Sequence, residues 1–319
     1  MLKQFAAMLS ITLFILLFVV PFTSADQKLK VVATIFPLYD FAREVGGDRI
    51  DASMLLPPGV EAHTFEPRPQ DIVRLNKADV FLYTGQFMEP WAADLLKGVT
   101  NKGLVAVDTS TGISLMDEEE HGEAQGEEHG EEPPEGHAHH GHEGKDPHIW
   151  LDPVLAQTMV DTIAQAFSQK DPLNSAFYQA NAESYKARLK DLDARFAATL
   201  SMCQIRTIIY AGHFAFGYFA KRYDLDHVSP YKGFSPDAEP APKSIKEIID
   251  TIKSVGSNTI YYEELIDPKV ARMISGETGA RLELLHGAHN VAKDKIASLS
   301  YLKIMEANLP KLKEGLECQ

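Results

Sequence analysis

The feature that most constrains this chain is an alternation of short apolar, β-branched runs with helical stretches. Residues 29–35 (LKVVATI) read as a buried strand ending at Phe36-Pro37, and residues 38–45 as a helix stopped by Gly46-Gly47. Residues 51–55 read as a second strand closed by Pro57-Pro58-Gly59, residues 69–76 as a helix, and residues 80–83 and 104–107 as two more strands. Short apolar strands separated by helices indicate a parallel sheet covered on both faces. The second half repeats the pattern, with strands at 207–210, 259–262 and 282–285 and helices at 214–223, 242–255 and 268–278. A last helix, 296–316, is expected to bend at Pro310.

Between the halves, residues 153–169 read as a helix broken at Asp171-Pro172. Residues 174–201 then contain neither glycine nor proline. At about 1.5 Å per residue that helix spans about 40 Å. Its apolar positions keep only part of a heptad, so it reads as a single bridging helix, not a coiled coil. The expected fold class is α/β: two lobes, each a roughly four-stranded parallel sheet flanked by helices, joined by one long rigid helix. Residues 26–172 form the first lobe, 173–202 the linking helix and 203–319 the second lobe. An apolar content of 45% in 319 residues suffices for two cores.

Residues 1–25 read as a secretory signal peptide. Lys3 precedes the apolar run 13–20, and Thr23 and Ala25 occupy the −3 and −1 positions. The run is short for a mature transmembrane helix; an uncleaved anchor is the alternative. No cysteine follows it to accept a lipid, so a soluble periplasmic protein is expected. The two cysteines, Cys203 and Cys318, permit one disulfide in an oxidising compartment, with two unpaired thiols as the alternative. Neither lies in a C-x-x-C pair, which argues against a thiolate metal site.

The net charge of −14 is unevenly placed: residues 117–145 hold 11 acidic residues against one lysine. The rest is nearly balanced, with no basic patch that would suit nucleic acid. The acidic segment has almost nothing apolar to bury and reads as a disordered loop.

Six of the twelve histidines fall in that loop: His121, His129, His137, His139, His140 and His142. Four others share a different setting. His63 follows the second strand and its Pro-Pro-Gly turn, His148 precedes a helix start, His213 follows the strand at 207–210, and His286 follows the strand at 282–285. Carboxyl ends of parallel strands form the crevice where ligands bind. Imidazoles from two lobes can therefore converge there, and four neutral imidazoles close a tetrahedral zinc site. His227 reads as a surface residue. In His286-Gly287-Ala288-His289 either ring can reach the cleft; His286 is preferred as the one nearest the strand end.

Four segments carry a resemblance to a known family: Leu56-Pro57-Pro58-Gly59-Val60-Glu61-Ala62-His63-Thr64-Phe65-Glu66-Pro67, Asp146-Pro147-His148-Ile149-Trp150-Leu151-Asp152-Pro153, His213-Phe214-Ala215-Phe216-Gly217-Tyr218-Phe219-Ala220, and Gly233-Phe234-Ser235-Pro236-Asp237-Ala238-Glu239-Pro240. Over essentially the whole mature length the sequence resembles the zinc/manganese-binding solute receptors of ABC importers, the cluster A-I (cluster 9) family. The resemblance implies a periplasmic receptor, acting as a monomer, that captures Zn2+ between two lobes and hands it to a membrane permease. It implies His63, His148 and His213 as metal ligands. At the fourth position many members carry an aspartate; here Leu285-His286-Gly287 stands in that place, so His286 is carried over. Histidine at 213, where manganese receptors carry glutamate, favours zinc.

The acidic loop then reads as a weak collector of ions that feeds the tight site. Other readings are a receptor for manganese or another divalent metal, a secreted metal buffer or adhesin, and a zinc hydrolase or hydratase. The last would need three ligands, an open water position and a base such as Glu61, Glu66, Glu263 or Glu264.

Overall fold

The computed structural model describes residues 28–60, 62–63, 65–117, 144–231, 240–264 and 267–319. The signal-peptide residues, nearly all of the acidic loop and the 233–239 part of the fourth motif lie outside them.

The first lobe is built on β1 (Leu29–Ala33), β2 (Ile50–Met54), β3 (Val80–Tyr83) and β4 (Val105–Asp108), all parallel in the order β2–β1–β3–β4. Parallel neighbours require crossovers, and helices α1 (Phe36–Gly46), α2 (Pro69–Leu75) and α3 (Ala92–Lys97) lie between the strands. β1 is apolar on both faces because both are covered. Val31 and Ala33 join the main core with Phe41 of α1, while Val32 packs with Leu75 of α2 and Leu95 of α3.

Helix α4 (Pro153–Lys170) starts where Asp152 accepts hydrogen bonds from the Val154 and Leu155 amides, with Pro153 at its first position. Helix α5 (Ser175–Leu200) follows, 26 residues and so about 39 Å long. Its buried residues, Tyr178, Ala182, Tyr185, Leu189, Leu192, Phe196 and Leu200, recur every three or four positions and form one stripe. Each large side chain in it contributes about 1.5–3 kcal/mol by burial.

The second lobe contains β5 (Thr207–Ile209), α6 (Gly217–Arg222), β6 (Asp226–Val228), α7 (Pro242–Val255), β7 (Thr259–Tyr262), α8 (Lys269–Thr278), β8 (Arg281–Leu284) and α9 (Tyr301–Gly315). β5 pairs with β6 and β7 with β8, both in parallel; a single parallel bridge, Tyr210 to Tyr261, joins the two pairs. Among the described residues the four strands are thus linked more loosely than those of the first lobe.

Three details depart from expectation. β6 is a strand of only three residues, Asp-His-Val, too short and polar to show as an apolar run. It carries His227, expected on the surface, whose ring stacks on Phe214 with centroids 3.8 Å apart. Helix α9 begins at Tyr301 instead of 296, because Ser300 caps it through the Lys303 amide and Asp40 of α1 accepts the Tyr301 N–H at 2.8 Å. Burial pushes the Asp40 carboxyl up to about 6, which the Tyr301 hydrogen bond partly offsets.

The lobes share one core. The main cluster runs from Phe41 of α1 through Tyr185 and Phe196 of α5 to Tyr210, Tyr301 and Leu312 in the second lobe. No helix among the described residues is long and apolar enough to cross a membrane.

Cys203, just past α5, is bonded to Cys318, just past α9, across 115 positions of chain. Closing so long a loop chiefly restricts the unfolded state. The double variant Cys203→Ser/Cys318→Ser is expected to lose about 2–4 kcal/mol in urea unfolding of the metal-free protein. An unchanged unfolding midpoint would contradict this.

Candidate metal centre

Four imidazoles converge at the junction of the lobes: His63 and His148 from the first, His213 and His289 from the second. One nitrogen of each lies within 4.8 Å of those of the other three. The six distances between their ring centroids run only from 5.1 to 6.0 Å. Four points so evenly separated describe a tetrahedron. The Nε2 atoms of His63 and His148 are 3.2 Å apart. Nitrogens held about 2.0–2.1 Å from a tetrahedral zinc would stand about 3.3–3.4 Å from one another.

Each ring is delivered by a strand end or helix start. His63 lies on the loop after β2 and is half-buried. His148 is fully buried before α4, and Asp146 Oδ1 accepts both its backbone N–H at 2.9 Å and its Nδ1 at 2.7 Å. His213 follows β5. Glu263, immediately after β7, takes its backbone N–H at 3.1 Å and its Nδ1 at 2.5 Å. Gly212 permits that approach: a Cβ there would stand 2.5 Å from the Glu263 carboxylate. His289 is buried, with its backbone N–H and its Nδ1 3.2 and 3.3 Å from Glu264 Oε1.

A carboxylate on Nδ1 holds the proton there and leaves Nε2 as a bare donor toward the centre. The buried Nε2 of His213 has no hydrogen-bond partner among the described residues, as a nitrogen awaiting an ion should. These tautomers follow from the hydrogen-bond partners. Burial, and then the neighbouring imidazoles of His213 and His289, hold His63 well below the usual histidine range. Burial followed by His289, His63 and His213 does the same for His148. Both rings are therefore neutral and able to ligate at neutral pH.

His286, the strand-end candidate, stands outside the group of converging rings, and His289 is the fourth ring in it. Asn308 of α9 accepts the His286 N–H at 3.0 Å and donates to its carbonyl at 2.9 Å, anchoring the residue at the end of β8. The chain then turns through Gly287 and through Ala288, which has φ 60°, and this carries His289 into the cleft. A Cβ at Gly287 would meet the His289 ring at 2.7 Å. The His289 segment is also tied to the first lobe: its carbonyl accepts the Phe36 N–H at 3.2 Å, and Asn290 donates to the Pro57 and Val60 carbonyls at 2.8 Å each.

Asp146, Glu263 and Glu264 were not legible as ring supports, although the Glu263-Glu264 pair directly after a strand was a usable signal. All six loop histidines lie outside the described residues. The segment's ends are described: Asp117 and Lys145 form an ion pair and an antiparallel bridge at its base, three positions before His148.

Comparison with known proteins gives matches over most of the chain. The description of the family ZnuA, zinc-uptake complex component A, periplasmic, matches residues 31–315. The high-affinity zinc uptake system protein ZnuA of Bacillus subtilis is 38% identical over 296 residues, covering 92% of this chain and 89% of that protein. The zinc-binding protein AdcA of Streptococcus pyogenes is 34% identical; the match covers 91% of this chain and 56% of AdcA, so the chain spans about half of that longer relative. The crystal structure of the Zn(II)-bound ZnuA-like domain of Streptococcus pneumoniae AdcA superposes with a TM-score of 0.74 at 29% identity, covering 91% of this chain and 99% of that one.

The depressed histidines set a pH dependence. Between about pH 6.5 and their folded values, the unfolded chain binds protons that the folded site refuses, so the metal-free protein loses stability as pH falls. Glu89, pushed up to about 7 by burial, and Asp40 act in the opposite sense, since the folded state then holds the extra proton. Comparing wild type with His63→Gln isolates the histidine contribution. The acid-induced loss between pH 7.5 and 5.5 should be smaller in the variant by about 1 kcal/mol. Identical losses in urea titrations would contradict it.

Proposed function

The chain belongs to the periplasmic zinc-uptake complex component A family, and from that premise we propose that it captures Zn2+ between its lobes and delivers it to the permease of an ABC-type importer. The observation that carries this reading is the tetrahedral convergence of four imidazoles, two from each lobe. Nitrogen donors with no carboxylate oxygen among them favour zinc over manganese. His63, His148, His213 and His289 are the proposed ligands. One chain supplies all four, so the reading needs no second copy.

Four protein donors around a buried centre leave no open position for a reacting water, which favours capture over hydrolysis. Asp146, Glu263 and Glu264 orient three of the rings, and their negative charge offsets that of the ion. Capture outside the cytoplasmic membrane is supported by the family's periplasmic description and by the Cys203–Cys318 disulfide. The charge of the acidic histidine segment, whose base lies three residues from His148, favours collection of divalent ions for the tight site.

Competition titration of zinc tests the ligand set. Wild type should bind one equivalent tightly. His63→Ala, His148→Ala and His213→Ala should each weaken binding by about 100-fold or more, and His289→Ala by at least about tenfold. His286→Ala should change affinity by less than about threefold. Wild-type affinity in any of the first four, or loss of tight binding in His286→Ala alone, would refute the assignment.

A further inference from the structure

We propose that His286 is an exchange ligand, a fifth imidazole that takes the fourth coordination position from His289 while zinc enters or leaves. This rests on the tight site proposed above. The observation behind it is that His286 stands beside the same carboxylate that supports one of the ligands without being a ligand itself. His148, His213 and His289 each set Nδ1 on a carboxylate. The Nδ1 of His286 lies 3.4 Å from Glu264 Oε1, the same oxygen that stands 3.3 Å from His289 Nδ1. One carboxylate oxygen thus faces two imidazoles.

The two rings differ in position. The side chain of His286 is 18% exposed and that of His289 only 7%, which puts His286 on the solvent side of the shared carboxylate. Its backbone is fixed by Asn308 at both N–H and carbonyl, whereas its Nδ1 accepts the Ala288 N–H at 3.0 Å in its present arrangement. In that state the ring proton sits on Nε2 and the ring does not ligate. When Nδ1 turns to donate to Glu264, the proton has moved to Nδ1 through solvent and Nε2 is bare. During the exchange Glu264 releases the Nδ1–H of His289 and accepts that of His286. As the Nε2 of His286 binds zinc that of His289 leaves, so the ion keeps four nitrogens throughout.

Such a device suits this fold. The lobes share a continuous core, and the His289 segment is hydrogen-bonded to the first lobe, so wide opening would break much apolar packing. Replacing donors one at a time avoids both the opening and a three-coordinate intermediate.

The test separates rate from affinity. In His286→Asn the side-chain oxygen still accepts the Ala288 N–H as an Asx turn, so the turn is kept and the ligand nitrogen is removed. Zinc uptake, and release to a chelator, are followed by stopped flow in wild type, His286→Asn and His286→Ala, with affinity measured in parallel. Both rates should fall at least tenfold in both variants while affinity stays within threefold. His289→Ala should keep one weakened zinc, and adding His286→Asn should weaken it a further tenfold or more. Unchanged rates in His286→Asn overturn the proposal. So does slowing in His286→Ala that His286→Asn restores, since the ring would then serve only the turn. Failure of wild type to bind one zinc tightly would instead overturn the parent reading, and this one with it.

Discussion

The hydrogen bond from an imidazole Nδ1–H to a buried carboxylate is the interaction on which the rest of this molecule depends. It appears at His148 with Asp146, at His213 with Glu263 and at His289 with Glu264. Bringing several neutral rings and several carboxylates into one buried place is costly unless each polar atom has a partner. The fold provides those partners through parallel sheets, whose strand ends all deliver their loops to one side. β2 leads to His63, β5 to His213, β7 to Glu263 and Glu264, and β8 to the turn that holds His289.

Helix α5 and the shared core set the mechanical character of that arrangement. The buried stripe of α5 packs with α1, α4 and α9, and the Asp40 bond to the first amide of α9 also joins the lobes. Trp150 adds another link by donating to the Gly287 carbonyl at 2.9 Å, beside the turn that positions His289. Local rearrangement of rings and loops is therefore the cheaper route for an ion to come and go. Both the proposed capture between lobes and the proposed role of His286 follow from that stiffness.

Much of this was legible in the residues. The alternation of apolar runs and helices defined the α/β architecture, because a strand covered on both faces has few polar positions. Position in the pattern singled out His63 and His213 after strands and His148 before a helix start, and the structure brings these three together. The strand-end rule selected His286 over His289 because it ranks residues by distance from the strand. In the structure a left-handed Ala288 and the Glu264 carboxylate set His289 beside the other three rings, and alanine gives no advance sign of a positive φ. β6 escaped notice because three residues with a charged first position make no apolar run. Ring partners such as Glu263 were hidden for a related reason: contacts across 50 positions are set by tertiary packing.

A crystal structure of the protein loaded with one equivalent of zinc tests the central claim most directly. The predicted result is one ion bound by the Nε2 atoms of His63, His148, His213 and His289 at about 2.0–2.1 Å, with no water in its coordination shell. An ion completed by water or by a carboxylate oxygen, or one seated away from these four rings, would contradict it.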